Sequence, residues 1–133
     1  MPFVVDASVA VAWFVRSQAT EYANSLLRRA AREQICVPAL WHAEFGNALL
    51  VLAHRRKLPP ERLSDIFEQI EALQFVTDSE PPSARELATL AKRLSLSAYD
   101  ATYLELALRL RIPIAARDGP LSKAAPRAGV AIA

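Results

Sequence analysis

A three-layer α/β/α sandwich around a short, mostly parallel central sheet is the fold predicted by this sequence of 133 residues. Three observations carry that prediction. Short apolar runs of strand character alternate with stretches of helical period, which is the signature of βαβ units. The runs are apolar throughout instead of alternating with polar residues, as expected for strands covered on both faces. The length suits a single domain spanning residues 1–133, large enough to bury its own core.

The elements follow in order. Phe3-Val4-Val5 is the first buried strand and ends at Asp6, before a short helical stretch. Ile35-Cys36-Val37, Phe75-Val76-Thr77, Ile112 to Ala115 and Val130-Ala131-Ile132 read as further strands. Leu63, Ile66, Phe67 and Ile70 keep the spacing of a helix with one buried face, and so do Ala84, Leu87, Ala88 and Ala91. Two stretches, Leu40 to Ala53 and Ala101 to Leu110, are apolar nearly all round and predict central helices packed on several sides. Pro59-Pro60 and Pro81-Pro82 open helices, and Asp118-Gly119-Pro120 marks a turn after the fourth strand.

Bulk composition narrows the function classes. More than half the residues are apolar and only three are glycine, so the chain is neither disordered nor equipped with a glycine-rich phosphate loop. The single Cys36 excludes an intrachain disulfide and sits in an apolar run as a buried thiol. No basic leader and no long uncharged apolar stretch is present, which predicts a cytoplasmic protein with no membrane span. A formal net charge of +2, spread along the chain, does not by itself argue for nucleic acid.

Four acids carry the chemistry. Asp6 and Asp118 fall at carboxyl ends of predicted strands, where ligands bind in open α/β sheets. Each also has an ordinary explanation: Asp6 as a helix N-cap, Asp118 as a turn residue, and Asp100 as the third residue of a capping box opened by Ser97. Glu44 is harder to dismiss, because an unpaired carboxylate inside an apolar helix is costly to bury. A cap can hold an acid at the sheet edge and still leave it to a cation, so the two explanations coexist. Converging carboxylates repel one another unless a hard divalent cation relieves them, which implies Mg²⁺ or Mn²⁺. Such a site retains waters and takes phosphate oxygens, the arrangement for phosphodiester hydrolysis.

Secondary candidates surround the quartet. Ser8 can hold a carboxylate, Asn47 lies one turn after Glu44, and Arg117 beside Asp118 is a candidate phosphate contact. Arg55-Arg56-Lys57 closes a helix where cations suit the dipole, and Trp13, Phe14, Trp41 and Tyr103 are expected in the core or on a dimer surface. His42 and His54 lack metal-ligand spacing, which argues against zinc, and no nucleophile elbow or dinucleotide fingerprint occurs. A dehalogenase-type phosphatase would need a second Asp where Ser8 stands. A phosphoacceptor domain built on Asp78 would need an acidic pair near the first strand, where Asp6 is alone.

In this order the motifs resemble the PIN-domain ribonucleases, in particular the VapC toxins of bacterial toxin–antitoxin pairs. The resemblance spans nearly the whole chain and rests on Val4-Val5-Asp6-Ala7-Ser8-Val9, on Val37-Pro38 with Glu44-Phe45-Gly46-Asn47-Ala48-Leu49, on Ser97 to Leu104 around Asp100, and on Ile112 to Asp118. It implies Mg²⁺- or Mn²⁺-dependent endonucleolytic cleavage of RNA, with Asp6, Glu44, Asp100 and Asp118 at the acidic positions and Ser8 and Asn47 at accessory ones. It also implies a homodimer and a cognate antitoxin that covers the acidic site and, at its other end, binds promoter DNA. One departure stands out: Ala116 occupies a position that is often Thr or Ser in the family, and Gly119-Pro120 follows Asp118. The expected ranking is therefore Asp6, Glu44 and Asp100 as core ligands, with Asp118 assisting. The alternative from another class is a catalytically silent PIN-like module that acts by binding a partner.

Overall fold

The computed structural model describes all of residues 1–133. Four strands, β1 (Phe3–Val5), β2 (Ile35–Val37), β3 (Phe75–Thr77) and β4 (Ile114–Ala115), form one sheet in the order β3-β2-β1-β4, and every pairing is parallel. Register is fixed by Val4 opposite both Cys36 and Ile114, and by Cys36 opposite Val76. The crossovers are made by seven helices: α1 (Ala7–Phe14), α2 (Glu21–Ala30), α3 (Leu40–His54), α4 (Leu63–Glu71), α5 (Ala84–Leu94), α6 (Ala98–Leu110) and α7 (Pro120–Arg127).

Both faces of the sheet are covered at β1, β2 and β4, while the edge strand β3 leaves Val76 and Thr77 exposed, and the two-residue period of a strand shows which layer each side meets. Phe75 stacks against Trp41 of α3 with ring centroids 4.8 Å apart. Its neighbour Val76 points to the other face, where it borders a cavity shared with Leu106 and Leu110 of α6. The helix α1 packs on α2 and α3, while α6 packs on β1 and β4 and carries α5 and α7 against it. Strands β1 and β2 are buried along their whole length, in keeping with their unbroken apolar sequence.

The aromatic residues of α3 close one side of the core. Phe45 stacks face to face on Trp41, with centroids 4.7 Å apart, and meets Phe14 and Phe67 edge-on. Helix α3 is not packed on several sides as its composition predicts. It buries Trp41, Phe45 and Leu49 and leaves Leu50 58% and Val51 37% exposed. An apolar sequence all round fixes no face, so the surrounding elements decide which stripe is covered. Helix α5 differs in a related way: Ala84 and Ala88 are exposed, and the covered stripe runs through Leu87, Leu90, Ala91 and Leu94. The larger leucines bury more apolar area than alanines at the neighbouring angle.

The strand predicted at Val130 to Ile132 reduces to a single parallel bridge between Ile132 and Ile114. Two backbone bonds nevertheless tie it down, from Ile114 N–H to Ala131 O and from Ala133 N–H to Ile114 O. No helix is long and apolar enough to cross a membrane. All carboxyl ends of the parallel strands lie along one edge, which therefore gathers Asp6, Asp78 and the segment leading to Asp118.

Candidate active site

Asp6 leaves β1 with extended backbone geometry and stands at the N-cap of α1 without making the side-chain capping bond that its sequence context suggests. Its carboxylate instead accepts a hydrogen bond of 2.8 Å from the Ser8 hydroxyl. Burial pushes the Asp6 pKa above the usual carboxylate range. Ser8, the nearby N–H groups of Ala7 and Ser8 and the charge of Arg117 offset this only in part. The acid is held by β1 and α1, the most deeply buried strand and helix of the molecule: seven of the eight residues of α1 are buried.

Glu44 sits on α3 between the buried Trp41 and Phe45 turn and the exposed Asn47. Its carboxylate accepts a short hydrogen bond, 2.5 Å, from the Tyr103 hydroxyl of α6. Burial raises the Glu44 pKa first, and the charges of Asp6 and Asp100 raise it further against the stabilising effect of Tyr103. Tyr103 is itself almost fully buried, and its pKa is driven far up by that burial and then by its bond to Glu44. This partner is one that aromatic spacing alone assigns to the core. The signal available in the sequence was its place three residues after Asp100, on nearly the same helix face.

Asp100 enters α6 in the first turn, where its backbone N–H donates to the Ser97 hydroxyl at 3.0 Å. The predicted capping box is only half made, because the Asp100 carboxylate does not return the bond and remains directed to its surroundings. Burial and then the charge of Asp6 raise its pKa. The charge of Asp6 thus raises the pKa of both Glu44 and Asp100, and that of Asp100 raises Glu44, while Asp118 is absent from the charges that act on them. Asp118 lies exposed in the turn between β4 and α7.

The outer candidates are placed around this trio. Arg117 donates to the Gln18 side chain at 2.9 Å and is close enough for its charge to lower the Asp6 pKa. Ala116 is buried and presents no hydroxyl at the sheet edge. His42 bonds the Thr77 hydroxyl, at 2.8 Å, and takes no part in the acidic cluster.

No three His, Cys, Asp or Glu side chains approach closely enough to form a closed ligand set. A cation such as Mg²⁺ does not require one, since it keeps several waters and is held by one or two carboxylates together with substrate phosphates. Three all-oxygen donors, each raised in pKa by burial and two of them further by mutual repulsion, form a donor set that fits a hard divalent cation.

A family model for the PIN domain matches residues 3–125. The chain belongs to the PIN-domain family. PIN domains are generally nucleases and are typically dependent on divalent metal. No curated protein matches the chain. Among solved structures, PAE2754 from Pyrobaculum aerophilum shares 23% identity at a TM-score of 0.72, over 93% of this PIN domain and 84% of that chain. FitAcB from Neisseria gonorrhoeae shares 21% identity at a TM-score of 0.67, over 99% and 96%. A structure of FitAB bound to an IR36 DNA fragment shares 20% identity at a TM-score of 0.61, over 100% and 94%. At these identities the likeness establishes the fold, including the all-parallel sheet and its helical layers.

Proposed function

We propose that this PIN domain is a Mg²⁺- or Mn²⁺-dependent endoribonuclease and acts as the toxin of a VapBC-type toxin–antitoxin pair. The observation that carries the reading is the placement of the three acids: Asp6 at the end of β1 held by Ser8, Glu44 of α3 held by Tyr103 of α6, and Asp100 one turn before Tyr103. Asp6, Glu44 and Asp100 would hold the cation, with Asp118 assisting a second or weakly held one. When bound, such a cation supplies Lewis acidity at a phosphoryl oxygen and lowers the pKa of water.

The chain's own residues set the stage for that chemistry. Ser8 fixes the Asp6 carboxylate, and Tyr103 fixes that of Glu44, so two of the three acids are held in place by hydroxyl donors. Asn47, exposed one turn beyond Glu44, is placed to orient that acid or to meet substrate. Arg117, at the rim near Asp6, would meet a backbone phosphate.

Partners follow from the toxin reading. The cognate antitoxin would cover the acidic edge, the chain would form a homodimer, and promoter DNA would be reached only through the antitoxin. FitAB, which shares the fold, is described as bound to a DNA fragment. The purified chain should run as a dimer in light scattering, and growth arrest on its expression should be reversed by its genetic neighbour. A monomer without effect on growth would remove the toxin role.

Cleavage of a labelled structured-RNA pool in Mg²⁺ or Mn²⁺, with EDTA and Asp6→Asn controls and a check for co-purified antitoxin, tests the activity. Cleavage lost in both controls is expected. A second reading, a silent module acting through a partner, is favoured by Ala116, which leaves no hydroxyl at that position. No cleavage by folded, antitoxin-free protein under either metal would select it.

A further inference from the structure

A groove of about 280 Å³ opens between the start of α3, the start of α6 and the loop that follows β3. Leu40 and Ala39 line it from α3, Pro81 and Pro82 from the loop, and Tyr99 and Thr102 from α6. At 100° per residue, Ala98, Thr102, Glu105 and Arg109 share one face of α6, while Asp100 and Tyr103 point away from it. Tyr99 lies between these two faces. Leu40 stands one helical turn before Glu44 on the same side of α3. Through Tyr99, the chain neighbour of Asp100, and through Leu40, one turn before Glu44, the groove adjoins two of the acids along α6 and α3.

Tyr99 is 63% exposed, so its ring face is open to a flat partner. The loop opposite it is held in place. Arg109 makes a two-pronged bond to Asp78, at 2.7 and 3.1 Å, and another to Glu105, at 2.6 and 3.2 Å. These bonds engage both oxygens of Asp78 and of Glu105 and fix the far wall of the groove. The volume lies below the roughly 300 Å³ at which drug-sized ligand sites begin, which suits one flat ring and not a folded peptide segment.

We propose that this groove is a nucleobase subsite: the base next to the cleaved phosphate stacks on the Tyr99 ring between it and Pro81-Pro82. The proposal rests on the ribonuclease reading and adds where the strand is gripped. Aromatic stacking is sequence-tolerant because every base has a π-face. The subsite thus gives the enzyme a grip on single-stranded RNA that does not depend on a large positive surface.

The test uses the full chain and short single-stranded RNAs carrying 2-aminopurine, with quenching read in Ca²⁺ and cleavage read in Mn²⁺. Stacking predicts that 2-aminopurine is quenched on binding and that Tyr99→Ala weakens binding by about tenfold or more and abolishes the quench. Tyr99→Phe should restore both, and the two variants should keep the wild-type circular dichroism and melting temperature. Equal quenching and affinity in wild type and Tyr99→Ala, while cleavage persists, would overturn the subsite and leave the nuclease intact. Neither binding nor cleavage by the wild type would overturn both, since the subsite has no role without the activity.

Discussion

Asp6, Glu44 and Asp100 each carry a pKa above the ordinary carboxylate value, and the sign of that shift has a consequence for stability. Below the unfolded pKa the acids are protonated in both states and cost nothing. As pH rises through the raised folded values, ionisation is paid for in the native state, so stability is lost toward neutrality. In EDTA the melting temperature should therefore fall as pH rises above the ordinary carboxylate range, and Asp6→Asn should flatten that dependence and stabilise the protein by about 1 kcal/mol at pH 7. A pH dependence identical in wild type and Asp6→Asn would contradict this. Activity should behave oppositely. Asp6→Asn and Asp100→Asn should abolish cleavage, while exposed Asp118, outside the coupled trio, should only reduce it on change to Asn. Equal loss in all three, measured as initial rates, would refute the ranking. Removing the Tyr103 hydroxyl with Tyr103→Phe should cost about 1–2 kcal/mol in stability by denaturant melting, and leave Glu44 less well held. The placement of Asp6 at a strand end and of Asp100 in the first turn of a helix was legible in the sequence, as was that of Glu44 inside an apolar helix. Tyr103 was not, since nothing in a sequence says which buried tyrosine points its hydroxyl at which acid across 59 residues.

At the scale of elements, α3 and α6 hold the site between them, and the residues that brace them have measurable worth. Phe45 is 2% exposed and contacts Trp41, Phe14 and Phe67, so Phe45→Ala should destabilise by about 3–5 kcal/mol. Chemical denaturation checks this, and a loss below 1 kcal/mol would mean the aromatic stack is dispensable. The Arg109 pair to Asp78 is a different kind of brace: it ties α6 to the loop after β3, and it lowers the Asp78 pKa, chiefly through the hydrogen bonds. Its contribution is present above the ordinary carboxylate pKa and fades as pH falls through the lowered one. A double-mutant cycle of Asp78→Asn with Arg109→Met should give a coupling of about 1 kcal/mol at pH 7 that shrinks below pH 3. The alternation of strands and helices was readable from period and length alone. Which stripe of α3 or α5 faces inward was not, because alanines and leucines crowd several angles of each helix, and only tertiary packing chooses among them. The last predicted strand failed for a related reason: an apolar triplet marks a tendency, but a partner edge must be long enough to take it, and β4 has only two residues.

Seen whole, the molecule is close to neutral, with a formal charge of +2, so no large net attraction draws a polyanion to it. Binding of single-stranded RNA should depend only weakly on salt, with a slope of log affinity against log salt of about −1 to −2. A slope steeper than about −4 would mean that a broad cationic surface makes contact. The whole fold was predictable as a parallel α/β sandwich because its strands are apolar on both sides, whereas the groove beside the acids arises from three distant segments and leaves no trace in any one of them. The unequal burial of the helices also divides the molecule into parts that open separately. Helix α1 is enclosed by the chain on almost every side, whereas α5 buries only Ala91. Amides of α1 should exchange with deuterium only when the entire protein unfolds, and those of α5 through cheaper, local excursions. The acid at the head of α1 is then as durable as the fold itself, while the wall nearest α5 can breathe, so heat would blur what the enzyme holds before it destroys what the enzyme cuts with.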